Sequence, residues 1–396
     1  MKENCKQNRK NKLLKKLNKF GLLEKKGIKY VLFMLYLGLY KFARRKFFQI
    51  KELPGNLKII KADKLRVLVH INGGLGDAIC ARNLLFLLRK YLPKNKVQIY
   101  LCCKDKEVFN TFFKEENLAD FYISRGYFLY NFDLVLSGCT YLEYEKYNKE
   151  KIKKYAPKFL SVLEKGLYIQ KKFNSFIKGD PYTDKLMTEK MISLNLNRIC
   201  TPLLFAGFET KNIIPLKYQV KNDNALDKFN LRNKEYIVIH YENKEKPIKD
   251  FAPTRPWPKE NWQEFIKLFK QRYPAVLLVQ IGGHITLLGV DLCLCDKTNL
   301  KELVQIINGA ICFMGGEGAL AHLSGFLEKK SLVLYGPNSA QFLTYPNNTD
   351  LSAEVCDTCI WVTKTWRSAC PLGYKTAPCM SAITPQKVLT ALEEIL

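Results

Sequence analysis

The N-terminal part of this sequence lacks an apolar run of membrane-spanning length, and the whole chain has few acidic residues for its basic ones. The uncharged apolar run Tyr30–Tyr40 has 11 residues, about half of the roughly 20 that a transmembrane helix needs. Asp and Glu number 37 against 64 Lys and Arg, so the net charge is +27. This imbalance predicts an anionic partner, which could be nucleic acid, lipid headgroups or a phosphorylated substrate.

A secretory signal is also missing. The apolar run is followed by Lys41, Arg44, Arg45 and Lys46, where a signal-peptidase site would need small neutral residues. The 13 cysteines are therefore expected in a reducing compartment rather than in a disulfide framework. These two features together predict a cytoplasmic protein.

The length and apolar content predict two folded domains. The chain has 396 residues, of which 47% are hydrophobic, enough for packed cores. This excludes an intrinsically disordered chain, a fibrous protein and a disulfide-stapled miniprotein.

Residues 1–61 form a basic leader that carries more than half of the excess charge. They hold 18 Lys and Arg and three acids, or +15, and the other 335 residues hold 46 basic and 34 acidic side chains, or +12. We expect an amphipathic helix on the inner face of the cell membrane, with Leu, Phe and Tyr among the acyl chains and Lys and Arg at anionic headgroups. The alternative is a basic helix packed on the body of the protein.

The rest of the chain alternates apolar strands with helical segments. One series begins at Leu65–Ile71 and a second begins at Glu235–Tyr241. This alternation predicts an α/β fold of two doubly wound, Rossmann-like domains, 62–220 and 221–396. Ligands of such sheets bind beyond the carboxyl ends of the strands.

A glycine-rich loop follows the first strand. It contains Gly73, Gly74 and Gly76, and then Asp77. Glycines at the start of a helix let a ligand approach the backbone closely, but the loop has neither a complete G-x-G-x-x-G fingerprint nor a P-loop. Asp77 is either a helix N-cap or a carboxylate that accepts a proton from an attacking hydroxyl.

Two candidate donor-binding residues lie early in the second series. His240 ends a strand, and Arg255 lies in the segment Thr254–Pro258 before a helix. Arg255 is suited to neutralising a phosphate, or is a surface arginine beside a buried tryptophan.

A second glycine-rich loop joins a later strand to a helix. It contains Gly316, Glu317, Gly318 and Ala319, with His322 following. The loop could bind phosphate through helix N–H groups, and Glu317 could bind sugar or ribose hydroxyls. The apolar neighbours of His322 favour a hydrogen-bonded buried histidine over a catalytic one.

Four cysteines cluster near the C-terminus: Cys356, Cys359, Cys370 and Cys379. The first pair has metal-ligand spacing and the second has not. Two hypotheses therefore remain: the four thiolates bind zinc or iron, or they are reduced structural cysteines.

The sequence resembles glycosyltransferase family 9, the heptosyltransferase-like enzymes of bacterial surface-polysaccharide assembly. The matching stretches follow the family's order: the strand and GGLGD loop at 65–77, TRPWPKENWQEF at 254–265, the segment 294–325 with GGEGALAHLSG, SLVLYGPNSAQFLTYPNN at 331–348 and CMSAITPQKV at 379–388.

The resemblance implies an inverting transferase of the two-domain GT-B type, whose chemistry needs no metal. The first domain would hold a glycan or lipid-linked acceptor and the second a nucleotide sugar, heptose being the family's usual sugar. Asp77 falls on the family's general base and Arg255 on its basic residue before the Trp-Pro pair. Glu317 stands where the family commonly has aspartate in D-x-G-x-x-H, and Gly318, Ala319 and His322 complete that pattern.

The cysteine tail is similar to that of the autotransporter heptosyltransferases, in which a comparable quartet binds iron. Those proteins have a different N-terminal extension, and a basic leader agrees better with a lipid-linked acceptor than with a protein. Two rival hypotheses are a nucleic-acid-binding protein, for which no basic aromatic surface or known module is found outside the leader, and a scaffold of the same fold that binds a nucleotide without catalysis.

Overall fold

A computed structural model describes residues 63–396, apart from 125–130, 180–182, 212, 214, 222–223, 242–246, 249 and 284–286. The predicted leader, 1–61, lies outside the described residues. Residues 62–124 and 132–396 form one compact unit. The predicted boundary near residue 220 stays a prediction.

The strands of this unit belong to two sheets. The first contains β1 (Leu65–Ile71), β2 (Val97–Cys102), β3 (Phe121–Tyr122), β4 (Leu134–Gly138) and β5 (Glu143–Tyr147). The second contains β6 (Tyr236–His240), β7 (Leu277–Ile281), β8 (Leu292–Cys293), β9 (Phe313–Gly316), β10 (Ser331–Tyr335) and β11 (Asn348–Ser352).

Both sheets have doubly wound strand order. The first runs β3-β2-β1-β4-β5 and is parallel except for the antiparallel pair β4 and β5. The second runs β11-β10-β9-β6-β7-β8 and is parallel throughout its described strands. In each sheet the order reverses beside the first strand, between β1 and β4 and between β6 and β9. Ligands of doubly wound sheets bind at these reversal points.

Helices connect the strands and cover both sheets. Their bounds are Leu75–Cys80, Arg82–Tyr91, Lys106–Phe109, Lys149–Tyr155, Phe159–Lys172, Asn174–Gly179, Asp184–Ser193, Cys200–Ala206, Asn224–Lys228, Lys259–Arg272, Leu300–Gly309, Ala319–Phe326, Ala340–Leu343, Pro378–Ser381 and Pro385–Glu393, with a π-helical turn at Asn110–Lys114. Within the ranges that the structure describes, no helix combines the length and apolar character needed to cross a membrane.

The apolar content of the strands explains the layered core. In β6, Tyr236 and Val238 point into one hydrophobic cluster, and Ile237 and Ile239 point into another on the opposite face. Alternate residues of a strand face opposite sides, so a strand that is apolar throughout must be covered on both faces.

One strand begins and ends later than the sequence suggests. We expect a strand over Ala310–Met314, but β9 is Phe313–Gly316. Pairing with β10 continues through the glycines, with Gly315 opposite Val333 and Gly316 opposite Leu334. The second glycine-rich loop therefore starts inside the sheet.

The helices after the two glycine-rich loops pack on each other. A Cβ atom on Gly76 would lie 2.9 Å from Cδ2 of His322 and 3.2 Å from Cα of Ala319. Since any side chain at Gly76 would collide there, glycine permits the helix Leu75–Cys80 to approach the helix Ala319–Phe326 closely.

Candidate functional site

Asp77 lies at the reversal point of the first sheet, just after β1. It is the third residue of the helix Leu75–Cys80, and its Oδ2 accepts a hydrogen bond from the backbone N–H of Gly74 at 2.9 Å. Asp77 is therefore not the N-cap residue, which is Gly74. Its carboxylate bonds to the N-cap backbone from the third position of the helix. A Cβ on Gly73 would lie 2.1 Å from Oδ2, so the glycine leaves room for the carboxylate.

Arg198 is the ion-pair partner of Asp77. Its Nη2 donates to Oδ1 of Asp77 at 2.8 Å, and the two side chains are 6% and 33% exposed respectively. Burial acts to raise the pKa of Asp77, but the charge and hydrogen bond of Arg198 and the Gly74 N–H outweigh it, so that the pKa lies below its usual value. The carboxylate is ionised, and a third of the Asp77 side chain is exposed.

A second charged group lies at the reversal point of the second sheet. Nη2 of Arg255 donates to Oε2 of Glu317 at 2.6 Å and to its backbone carbonyl at 2.7 Å. Nδ2 of Asn338 donates to the same Oε2 at 2.5 Å. Burial raises the pKa of Glu317, but Arg255, His322 and Asn338 more than offset it and keep the pKa below its usual value. Glu317 therefore orients Arg255.

The glycines of the second loop lie beside Arg255. A Cβ on Gly316 would be 3.7 Å from the Arg255 carbonyl oxygen, and a Cβ on Gly318 would be 3.7 Å from Arg255 Nη2. Ala319 begins the following helix. Arg255 is thus surrounded by backbone on this side.

The segment that carries Arg255 is held by the C-terminal part of the chain. The hydroxyl of Thr254 donates to the carbonyl of Trp366 at 2.7 Å, and its N–H donates to the carbonyl of Arg367 at 2.9 Å. Nε1 of Trp257, which is 1% exposed, donates to the carbonyl of Ile383 at 2.8 Å. These bonds fix the backbone on both sides of Arg255.

His240 ends β6 next to this group. Burial and the nearby charge of Arg255 lower its pKa to about 4, because both disfavour the imidazolium. It is neutral at physiological pH and can offer a hydrogen bond without adding charge.

His322 is a buried histidine with a partner, the alternative that its apolar neighbours favour. Its Nδ1 lies 2.7 Å from the hydroxyl of Tyr345, and Nε2 lies 3.9 Å from Oε1 of Glu317. The Tyr345 hydroxyl also lies 3.6 Å from Sγ of Cys80, so this contact joins the helix of Asp77 to the helix after Glu317.

The four tail cysteines influence one another. Burial, followed by the charges of the other three thiols, raises the pKa of Cys379 to about 12. Burial and the charges of Cys370 and Cys356 raise the pKa of Cys359 to about 11. Across the described part of the chain, however, no group of three or more His, Cys, Asp or Glu side chains is arranged to hold a metal ion. The structure as it stands does not support the predicted metal site.

The structure brings Arg255, Glu317, Gly316 and Gly318 together, as their motifs suggest, and adds two residues that sequence reasoning missed. Arg198 has no motif, but a charged residue amid Leu194, Leu196, Ile199 and Cys200 indicates a buried, paired group. Asn338 follows Gly336 and Pro337 in a stretch that resembles the family, and nothing in its spacing links it to Glu317.

The comparisons with known proteins agree with the sequence resemblance. Residues 203–373 match the family model described as "Glycosyltransferase family 9 (heptosyltransferase)". The chain is 26% identical over 162 residues to lipopolysaccharide heptosyltransferase 2 of Salmonella typhimurium. That match covers 38% of this chain and 45% of the relative, so the chain spans less than half of the length of the curated relative.

Two solved structures share the fold. E. coli ADP-heptose lps heptosyltransferase II has a TM-score of 0.51 and 13% identity, with 84% of this chain and 98% of that chain covered. The dodecameric iron-containing heptosyltransferase TibC, in complex with ADP-D-beta-D-heptose, has a TM-score of 0.54 and 13% identity, with 84% and 77% covered. TibC comes from enterotoxigenic E. coli.

The resemblance to glycosyltransferase family 9 is therefore confirmed, and so is the predicted fold of two Rossmann-like sheets of the GT-B kind. The family match begins at residue 203, beyond Asp77 and Arg198. The roles of the site residues stay predictions.

Proposed function

We propose that this chain is a glycosyltransferase that moves a sugar from a nucleotide-diphosphate sugar to a bacterial surface glycan, with Asp77 as general base. The observation that carries the proposal is an ionised, partly exposed carboxylate on a helix packed against the helix that follows Glu317. The family match covers the segment with Arg255 and Glu317, which supports donor binding there.

The reaction would be a single inverting displacement. The acceptor hydroxyl attacks the anomeric carbon and gives its proton to Asp77, while the bond from that carbon to the diphosphate oxygen breaks. The nucleoside diphosphate leaves with the electron pair of that bond, and Arg255 neutralises its charge. This sequence of events uses one carboxylate and one cation, and no step in it requires a metal.

The donor favoured by the relatives is ADP-heptose. One structural neighbour is named as an ADP-heptose lipopolysaccharide heptosyltransferase and another was solved with ADP-heptose. Gly316, Gly318, Ala319, His240 and His322 would surround this donor together with Arg255 and Glu317. Gly73, Gly74 and Gly76 would shape the acceptor side around Asp77.

The acceptor we favour is a lipid-linked glycan such as lipopolysaccharide, since the curated relative acts in lipopolysaccharide synthesis by its name. The basic leader would bring the enzyme to the inner face of the membrane, where that acceptor is anchored. A protein acceptor is the second candidate, because the cysteine tail resembles that of the autotransporter heptosyltransferases.

Replacement of Asp77 tests the function. We expect Asp77→Asn to lower kcat about 10²- to 10⁴-fold, the usual contribution of a general base, with little change in donor affinity. The measurement is release of ADP from ADP-heptose in the presence of heptose-deficient lipopolysaccharide, with other nucleotide sugars assayed in parallel.

Asp105→Asn is the matched control. Asp105 caps the helix Lys106–Phe109 by accepting from the Val108 N–H at 2.9 Å, a bond that asparagine also makes. Wild-type turnover by Asp77→Asn would refute the base, and no turnover of any donor by the wild type would favour a non-catalytic nucleotide-binding protein.

A further inference from the structure

Arg198 holds the Asp77 carboxylate from a position that solvent hardly reaches. The guanidinium is 6% exposed and lies 2.8 Å from Oδ1, while Oδ2 accepts from the Gly74 N–H at 2.9 Å. Each carboxylate oxygen has one bond to the protein and can accept another. The carboxylate is thus fixed at both oxygens and still able to take up a proton.

The backbone of Arg198 is itself held in place. Oδ1 of Asn197 accepts from the N–H groups of Ile199 and Cys200, both at 3.0 Å, which holds the turn that leads into the helix Cys200–Ala206. Nη1 of Arg198 reaches the carbonyl of Cys139 at 3.4 Å, directly after β4. The guanidinium therefore joins the helix after β1 to the loop after β4, and these two strands lie at the reversal point of the first sheet.

The same residue connects to the segment that holds Glu317. The N–H of Arg198 donates to the carbonyl of Phe342 at 2.8 Å. Phe342 belongs to the helix Ala340–Leu343, just after Asn338, whose side chain binds Glu317. The backbone of Arg198 is thus tied to the segment that contains Asn338.

Arg198 contributes the strongest stabilising charge for Asp77 among several ionisable neighbours. Positive charge on His322 acts in the same direction with less effect. Asp184 and Cys139 also face Asp77: burial raises the pKa of Asp184, and burial together with the charge of Asp77 raises the pKa of Cys139 to about 11. Cys80 interacts electrostatically with Arg198.

We propose that Arg198 is a positioning residue that keeps the Asp77 carboxylate ionised and oriented toward the acceptor hydroxyl. This inference rests on the proposed role of Asp77 as base. The guanidinium of Arg198 is buried and bound to Asp77 and Cys139, so Arg198 would act on the reaction through Asp77. Its loss would alter the pH dependence of the reaction, which a merely structural arginine would not do.

Titration of Asp77 by NMR tests the proposal without a known acceptor. Carboxyl-¹³C-labelled aspartate is introduced, and the Asp77 resonance is assigned as the one missing in Asp77→Asn. We expect Arg198→Met to raise the midpoint of this resonance by at least about one pH unit, and Arg198→Lys, which keeps the charge, to raise it less. An unchanged midpoint in folded Arg198→Met would overturn the proposal.

Arg89→Met is the matched control, because Arg89, in the helix Arg82–Tyr91, forms a similar ion pair at 2.9 Å with Asp120, just before β3. It should leave the Asp77 midpoint unchanged, and an equal shift in this variant would also overturn the proposal.

The activity assay separates this inference from the proposed function. In Arg198→Met the acidic limb of kcat/KM should move to higher pH together with the NMR midpoint, because a larger fraction of Asp77 is protonated at each pH below neutrality. If Asp77→Asn transfers sugar as fast as wild type, the proposed function fails. If Asp77 is essential but the limb does not move, only the role of Arg198 is refuted.

Discussion

At the scale of single residues, the two arginines of the site differ in what their charges do. Arg198 is 6% exposed and bound to Asp77, whereas Arg255 is 18% exposed and is oriented by Glu317. Arg255 is the more exposed of the two, and a planar guanidinium with five N–H donors suits the oxygens of a diphosphate.

The replacement Arg255→Lys tests this division. Lysine has one nitrogen and cannot contact Glu317 and a diphosphate in the same fork-like geometry. We expect the affinity for ADP and for inorganic pyrophosphate to fall about tenfold, or about 1.4 kcal/mol, measured by isothermal titration calorimetry. Arg272→Lys, at an exposed ion pair with Glu393, should bind both ligands as wild type does, and equal affinity in the two variants would contradict the role of Arg255.

At the scale of elements, sequence patterns predict the local parts of the site and miss the contacts that join distant parts. Asp77 follows a strand and glycines, and Glu317 does the same, so both are found from short-range patterns. Arg198 meets Asp77 across 121 sequence positions and Thr254 meets Trp366 across 112. The periodicity of a sequence does not predict such pairings, because they depend on how complete helices and strands pack against one another.

The sequence offers a metal site in the cysteine tail. The contacts among the described residues do not complete such a site. Cys359 donates its N–H to the carbonyl of Pro337 at 2.9 Å, and a Cβ on Gly336 would lie 3.3 Å from Sγ of Cys379. Cys359 and Cys379 thus lie next to the end of β10, from which the chain continues to Asn338. Metal analysis decides between the two alternatives that the sequence leaves open for the quartet, a bound iron or zinc ion and reduced structural cysteines.

Metal analysis tests the tail. If the quartet is a metal site, protein purified under reducing conditions should contain about one iron or zinc ion per chain, as four-thiolate sites do, and Cys356→Ser/Cys359→Ser should lose most of it. Bound metal should also be released as the pH falls, since protons compete for the thiolates. Cys293→Ser/Cys295→Ser, a second closely spaced pair, is the control, and equal metal content in both double variants would refute the site.

At the scale of the whole molecule, the charge of the folded body is not centred on the proposed diphosphate site. Residues 149–179 hold nine lysines and two glutamates, so +7 of the +12 outside the leader belongs to the helices of this stretch. Several of these lysines pair with acids, such as Lys151 with Asp133 at 2.8 Å and Lys149 with Glu164 at 3.2 Å. The leader, with +15, therefore has more net charge available to bind an anionic surface than the folded body, with +12.

Vesicle sedimentation of the full chain tests membrane binding by the leader. We expect Arg44→Glu/Arg45→Glu/Lys46→Glu to weaken binding to phosphatidylglycerol-containing vesicles at least about tenfold, since each basic residue near the surface contributes about 1 kcal/mol. Lys171→Glu/Lys172→Glu/Lys178→Glu makes the same change in charge on the body and should bind as wild type does. Equal binding by both variants would refute the anchor.

The bonds that hold the segment around Arg255 also set an order of events during synthesis. Thr254 and Trp257 depend on the carbonyls of residues 366, 367 and 383, which leave the ribosome more than a hundred residues later. The first sheet and its Asp77 loop contain none of those late residues and can form earlier, since chains fold from the N-terminal side as they emerge. A nascent chain would thus form the first sheet before the segment around Arg255 is held, and Arg255 would reach its final position only when the C-terminal residues close around Trp257.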